Sequence, residues 1–219
     1  PELKNSVTGT TTACFEPALD YVTVKIPRWD LKKFARVSKK IGSEMKSVGE
    51  VMSIGRSFEE ALQKAIRMLQ VGMYGFVGNE NYSFKNLEKE LYQPTDERLF
   101  GLAEAFKKGW SVEKVAGLTK IDPWFLYKMK GLVELEEKIR KYGLNELPDD
   151  LWLEAKKKGF SDKQLAIFTR ATEGEVRQKR ESLKLRPSVK QIDTLAAEYP
   201  ARTNYLYLTY NGSEDDLSF

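Results

Sequence analysis

Histidine is absent from the 219 residues, and that absence excludes a great deal of chemistry. Without an imidazole there is no Ser-His-Asp triad, no Cys-His pair, no HExxH zinc site and no histidine general base. Any reaction here would have to use carboxylates, lysine or a cofactor held by backbone. Cysteine is nearly absent too. Cys14 stands alone, which rules out an internal disulfide and fits a reducing compartment. With no histidine to activate it, Cys14 is expected to act as a small hydrophobe. Long apolar runs are also missing. The longest uncharged stretches, such as residues 5–15, are polar, so no membrane span is expected. No charged leader precedes an apolar segment, so the expectation is no secretory signal and a cytoplasmic location. Nor is there a strong excess of one charge. Thirty-six Lys and Arg against 32 Asp and Glu leave a net charge of +4, which permits nucleic-acid binding without arguing for it.

What remains is an ordinary globular balance, 41% hydrophobic and 31% charged. A chain of this length buries roughly 70% of its unfolded surface and folds without a staple. Its first third mixes strands with a helix. Residues 20–26 (DYVTVKI) are β-branched and aromatic, bracketed by Pro17 and Pro27, and predict a strand. Residues 46–55 (KSVGEVMSIG) alternate Val48, Glu50, Met52 and Ile54 with Val51 and Ser53, predicting a second strand partly buried on both faces. Ser57-Phe-Glu-Glu60 has the form of a capping box. The helix it opens carries Phe58, Ala61, Leu62, Ala65, Ile66 and Leu69 at helical spacing and ends before Gly72.

Residues 73–85 (MYGFVGNENYSFK) are rich in glycine and asparagine and read as a linker or exposed loop at a domain boundary. Beyond it the pattern is helical. Thr95 or Asp96 opens a helix that Gly109 closes, and Ser111 opens the next. Asp122-Pro123 starts a longer helix to about Tyr142, and Pro148-Asp149-Asp150 starts another that Gly159 ends. Ser161-Asp-Lys-Gln164 and Thr172-Glu-Gly-Glu175 are capping boxes, each cap worth about 1 kcal/mol. Residues 104–126 align without gaps to 154–176, with eight of 23 positions identical. One unit used twice is implied: helix, glycine stop, serine cap, short helix, turn, next helix. Residues 189–195 and 204–210 predict strands or extended arms.

Each chemical candidate has a plainer reading beside it. The helices at 161–169 and 172–183 resemble a helix-turn-helix, with Arg170, Arg177, Lys179, Arg180, Lys184 and Arg186 as the basic set. Glu173, Glu175 and Glu181 dilute it, and the twin unit's third helix begins Asp122-Pro-Trp-Phe, so helix packing is the preferred reading and nucleic-acid binding the alternative. Residues 49–55 (GEVMSIG) lack the spacing of a phosphate loop and sit in a strand pattern. Trp110, Trp124 and Trp152, in their capped helices, are expected in the core. From the residues alone the reading is part of a larger protein's α/β domain followed by a helical packing or interaction domain, and the fold class expected of the whole chain is α+β.

The strings Phe15-Glu-Pro17, Lys25-Ile-Pro-Arg-Trp29, residues 45–56 (MKSVGEVMSIGR), 121–129 (IDPWFLYKM), 159–164 (GFSDKQ), 189–199 (VKQIDTLAAEY) and 203–210 (TNYLYLTY) resemble the carbamoyl phosphate synthetase large part. The likeness runs almost end to end and is strongest to the eukaryotic multifunctional pyrimidine-synthesis type. That family joins two ATP-grasp halves by a helical oligomerisation domain. The first half makes carbamate from bicarbonate, ATP and glutamine-derived ammonia, the second phosphorylates it, and a tunnel connects them. The resemblance implies the end of the first ATP-grasp domain at 1–72, a linker at 73–84, the oligomerisation domain at 85–190 and an arm toward the second half at 191–219. It places the nucleotide loop and metal ligands before Pro1, so no catalytic, ATP or metal residue is expected in this span. ATP and Mg2+, with K+, belong to the parent enzyme. Met45 and Glu50 fall on the family's tunnel-lining methionine and glutamate. The implied partners are the parent's other domains, including the glutaminase part, and further copies of the chain, with no nucleic acid and no membrane.

Overall fold

The computed structural model describes residues 3, 4, 6, 12–14, 19–33, 36–79, 83–192 and 205–217. Strands β1 (Val22–Arg28) and β2 (Gly49–Gly55) form an antiparallel pair from Val22↔Gly55 to Arg28↔Gly49. Helix α1 (Phe58–Met68) follows, then α2 (Leu87–Tyr92). Two helical triplets come next: α3 (Arg98–Lys107), α4 (Val112–Thr119) and α5 (Pro123–Ile139), then α6 (Asp149–Lys157), α7 (Asp162–Thr169) and α8 (Glu173–Ser182). A second antiparallel pair, β3 (Ser188–Gln191) and β4 (Leu206–Thr209), closes the described chain. The mixture of helices with two small sheets agrees with an α+β class.

The first strand runs through Pro27 instead of stopping before it, with Pro27 opposite Glu50. A two-stranded sheet leaves β1 an outer edge, and an edge tolerates a residue without an N–H. The second strand begins at Gly49, later than its pattern implied, and Val48 and Met52 are 60% and 58% exposed. The inward residue is Ser53, whose hydroxyl donates to Ala61 O at 2.6 Å. Alternation defines two faces of a strand but not which one meets the core.

Helix α1 buries Ala61, Leu62, Ala65 and Ile66, as its spacing requires, and also buries Glu59, Glu60 and Gln63. Ser57 accepts from Glu60 N at 3.2 Å, but the Glu60 carboxylate does not return to Ser57 N, so the capping box is only half made. The segment read as an exposed linker packs inward at Phe76 and Val77, each 1% exposed. Gln63 Oε1 accepts from Phe76 N and from Gln164 Nε2, which also donates to Val77 O, so the glycine-rich turn is held by buried amides.

The repeat is realised in backbone detail. Gly109 and Gly159 sit at φ +76° and +83°. Trp110 N and Phe160 N then reach back to Ala105 O and Ala155 O, 3.0 Å each, closing α3 and α6 with the same Schellman bond. Ser111 and Ser161 cap α4 and α7. Both short helices end on a residue at positive φ, Lys120 at 60° and Arg170 at 59°. Thr119 and Thr169 hydroxyls donate to Val115 O and Leu165 O at 2.8 Å. Asp122 and Thr172 open the third helices, and the boxes at Ser161 and Thr172 are complete.

Some ends move. Thr95 caps a turn at Glu97 N (3.1 Å), so α3 starts only at Arg98. Helix α5 stops at Ile139, and Tyr142 N bonds back to Ile139 O in a turn. Both late strands are shorter than their patterns, and residues 193–204 lie outside the described residues. One hydrophobic cluster runs from Ile26 through α1 and both triplets to Val176.

Candidate functional site: an exposed aromatic face

Proline at the first position of α5 and the Asp122 carboxylate accepting from Trp124 N at 2.8 Å fix its opening turn. That turn presents aromatic side chains outward. Trp124 is 52% exposed and Tyr127 56%, so Trp124 is not the core residue its helix suggested. Phe125 is also exposed and meets Phe58, the first residue of α1, with ring centroids 5.2 Å apart. Trp124 lies 5.8 Å from Phe58 and 5.0 Å from Phe125, the latter edge to face. Lys128 stands 5.4 Å from the Trp124 ring. Position 174, the repeat-mate of Trp124, is glycine, so only the first triplet carries this face.

Beside the aromatics lies an apolar cleft of about 420 Å³ between β1, α1, α3 and α5. Val24, Ile26, Leu62, Leu99, Phe100 and Met129 line it, with Lys25, Thr95, Asp96 and Arg98 at the polar positions. Trp152 is fully buried, as expected of it, whereas Trp110 is half-buried beneath Lys114, whose ammonium is 3.5 Å from the ring. Cys14 is exposed, with its sulfur 3.3 Å from Thr12 Oγ1.

Met45 is 89% exposed. Glu50 is exposed on β2 and pairs with Lys25 at 2.8 Å across the hairpin. Within this chain the two stand at the surface, not in an enclosed passage. On α8, Arg180 is drawn inward to Asp162 (3.1 Å) and Leu185 O (3.1 Å), while Arg170, Arg177, Lys184 and Arg186 remain exposed.

Buried charge concentrates where α1 meets the second triplet. Glu59 sits between Lys158 at 2.6 Å and Lys128 at 3.6 Å. Burial pushes its pKa up, but the Lys158 hydrogen bond and the two ammonium charges outweigh that and hold it low. Arg67 donates to Gly159 O at 2.9 Å, and burial lowers its pKa to about 10. Asp162, between Lys156 and Arg180, is likewise held low against the upward push of burial. Sequence reasoning missed Glu59 and Gln63. Their carboxylate and amide look like ordinary solvated helix positions until the second triplet is laid against them. Among the described residues no helix is long and apolar enough to cross a membrane.

Comparison with known proteins adds the family. Residues 50–184 match the carbamoyl-phosphate synthetase large chain, oligomerisation domain. The match starts in β2 and crosses residues 73–84. Over its whole length the chain is 55% identical to the multifunctional protein ura1 of Schizosaccharomyces pombe and 54% identical to the multifunctional protein CAD of Squalus acanthias. It spans 10% of each of those relatives. It is also 52% identical to the mitochondrial arginine-specific carbamoyl phosphate synthase large chain of Neurospora crassa, of which it spans 19%. The chain therefore belongs to the oligomerisation-domain family of the carbamoyl-phosphate synthetase large chain.

Proposed function

We propose that this chain is the structural and assembly segment of a glutamine-dependent carbamoyl phosphate synthetase of the multifunctional pyrimidine-synthesis type, without catalysis of its own. In the parent it associates with further copies of itself and braces the first ATP-grasp half, while ATP, Mg2+ and K+ are handled by residues elsewhere. Residues 1–72 are the end of that first domain, 85–190 the oligomerisation domain and 191–219 the arm toward the second half.

The observation that carries the assembly reading is the oligomerisation-family match over 50–184, and the exposed aromatic face on the repeat-based core supports the bracing contact. We assign the aromatic face and its cleft to the rest of the first ATP-grasp domain. One wall of the cleft is β1, half of a two-stranded sheet of a size that is marginal alone. Light scattering across a concentration series tests self-association: a dimer or larger species is expected, and a strict monomer would sink it. The double substitution Trp124→Ser with Phe125→Ser should leave that mass unchanged. Dissociation by this pair would give the aromatic face to a second copy instead.

Met45 and Glu50 are the proposed tunnel residues, with the Lys25 pair opening when the tunnel wall is completed. Glu50→Ala in the intact enzyme should uncouple glutamine hydrolysis from carbamoyl phosphate formation. Normal coupling would remove Glu50 from the tunnel.

A further inference from the structure

We infer that Glu60 is a clamp that fixes where the C-terminal arm leaves the helical unit. Its carboxylate is 1% exposed and does not serve Ser57 N, the donor that a capping box would supply. Oε2 instead accepts from Arg56 N, Thr209 Oγ1 and Asn211 Nδ2, each at 2.9 Å. Oε1 takes the Lys64 ammonium at 2.7 Å. Lys64 spends its other protons on Ile54 O (2.9 Å) and Leu208 O (2.6 Å), tying β2 to β4 through one side chain. Arg56 Nε adds a bond to Tyr207 OH at 3.2 Å.

The arm thereby crosses the junction between α1 and the second triplet. Asn211 Nδ2 also reaches Lys157 O at 2.9 Å, beside the Gly159 turn, and the Tyr210 ring lies 5.0 Å from the buried Lys156 ammonium. Apart from the Tyr207 ring, apolar burial does little to hold it there. Leu206 and Leu208 are 41% and 54% exposed, and the inward residues are Tyr207 and Thr209. An attachment made of directional, charge-assisted bonds is specific in register, because a slip of one residue would turn Thr209 outward and leave a buried carboxylate short of donors. Glu60 is thus a positioning residue, and its function rests on the reading of the arm as the route to the second synthetase half.

Peptide-resolved hydrogen exchange on the full 219-residue chain tests the clamp. Glu60→Gln keeps the size and removes the charge; Thr209→Val keeps the shape and removes one donor. Each should make the amides of 206–209 exchange about tenfold faster, the size expected when a buried charge-assisted bond is lost, with the amides of α5 unchanged. The double variant should exchange less fast than the product of the two single effects, since both weaken the Glu60–Thr209 bond. Arm exchange within about twofold of the parent chain in both singles would overturn the clamp, as would equal loss in α5 or full additivity in the double variant. In the intact synthetase, Glu60→Gln should lower the carbamoyl phosphate formed per ATP hydrolysed. Faster arm exchange with that ratio unchanged upholds the clamp and overturns the arm's proposed route.

Discussion

The two helical triplets share a backbone plan and differ in what is laid against them. Gly109 and Gly159 occupy the same left-handed turn, yet a Cβ at Gly109 would meet nothing within 4 Å, whereas one at Gly159 would lie 2.8 Å from Glu60 Cα. Ser111 and Ser161 cap the same short helix, but the third position after them is a surface lysine in one copy and a buried glutamine in the other. Lys108 pairs with Glu104 on its own helix, whereas Lys158 pairs with Glu59 of α1. Local sequence sets the course of the chain in both copies. Docking of α1 decides which positions of the second make contacts that their mates in the first do not.

The largest expected difference lies at the glycines. Gly109→Ala pays only for a left-handed backbone, about 1–2 kcal/mol. Gly159→Ala adds overpacking against α1 backbone, bringing its loss to about 3 kcal/mol or more. Urea unfolding of the two variants measures the gap, and equal losses would mean that α1 yields at no cost. A smaller gap is expected at the caps. Gln164→Ala leaves Val77 O without its donor and Gln63 Oε1 with Phe76 N alone, and should cost about 2 kcal/mol, against about 0.5–1 kcal/mol for Lys114→Ala, which loses its contact with the Trp110 ring. Comparable effects at both sites would break the claim that Gln164 serves the tertiary contact.

The smallest effect concerns acid. Asp162 has Val112 as its mate in the first triplet, so only the second copy titrates there. Its folded pKa lies below the unfolded value. Its stabilisation is therefore complete above the ordinary carboxylate range, near pH 4, and is lost as pH falls through the folded value. Asp162→Asn should be less stable at neutral pH, where Lys156 loses its partner, and should lose less on acidification. Unfolding curves at a series of pH values check this. A variant as acid-sensitive as its parent would place the titration elsewhere.

Much of the fold was legible because its signals are short-range. A serine, threonine or aspartate followed by its own helix announces a cap, and the caps at Ser111, Asp122, Ser161 and Thr172 all form. The 50-residue repeat was readable for the same reason. Ser57 failed as a full box because Glu60 is claimed by Thr209 and Asn211, which no local pattern around it could reveal. Phe76 and Val77 lay hidden among glycines because their cover comes from Gln63 and Gln164. Trp124 looked like core because a capped amphipathic turn does not declare which side faces solvent. The proposed assembly role rests on strings matching a family, and the exposed aromatic face emerged only with the fold.

The clamp at Glu60 also sets an order of events during synthesis. Arg56 N and Lys64 are its neighbours in sequence, whereas Asn211 is 151 residues away. At ribosomal rates that interval takes on the order of ten seconds, far longer than helices need to form. The carboxylate must therefore wait with a local ammonium and one amide for company, half served, while both triplets assemble. Lys64 is what makes the wait tolerable, and the arm that arrives last finds its docking point already charged and in place.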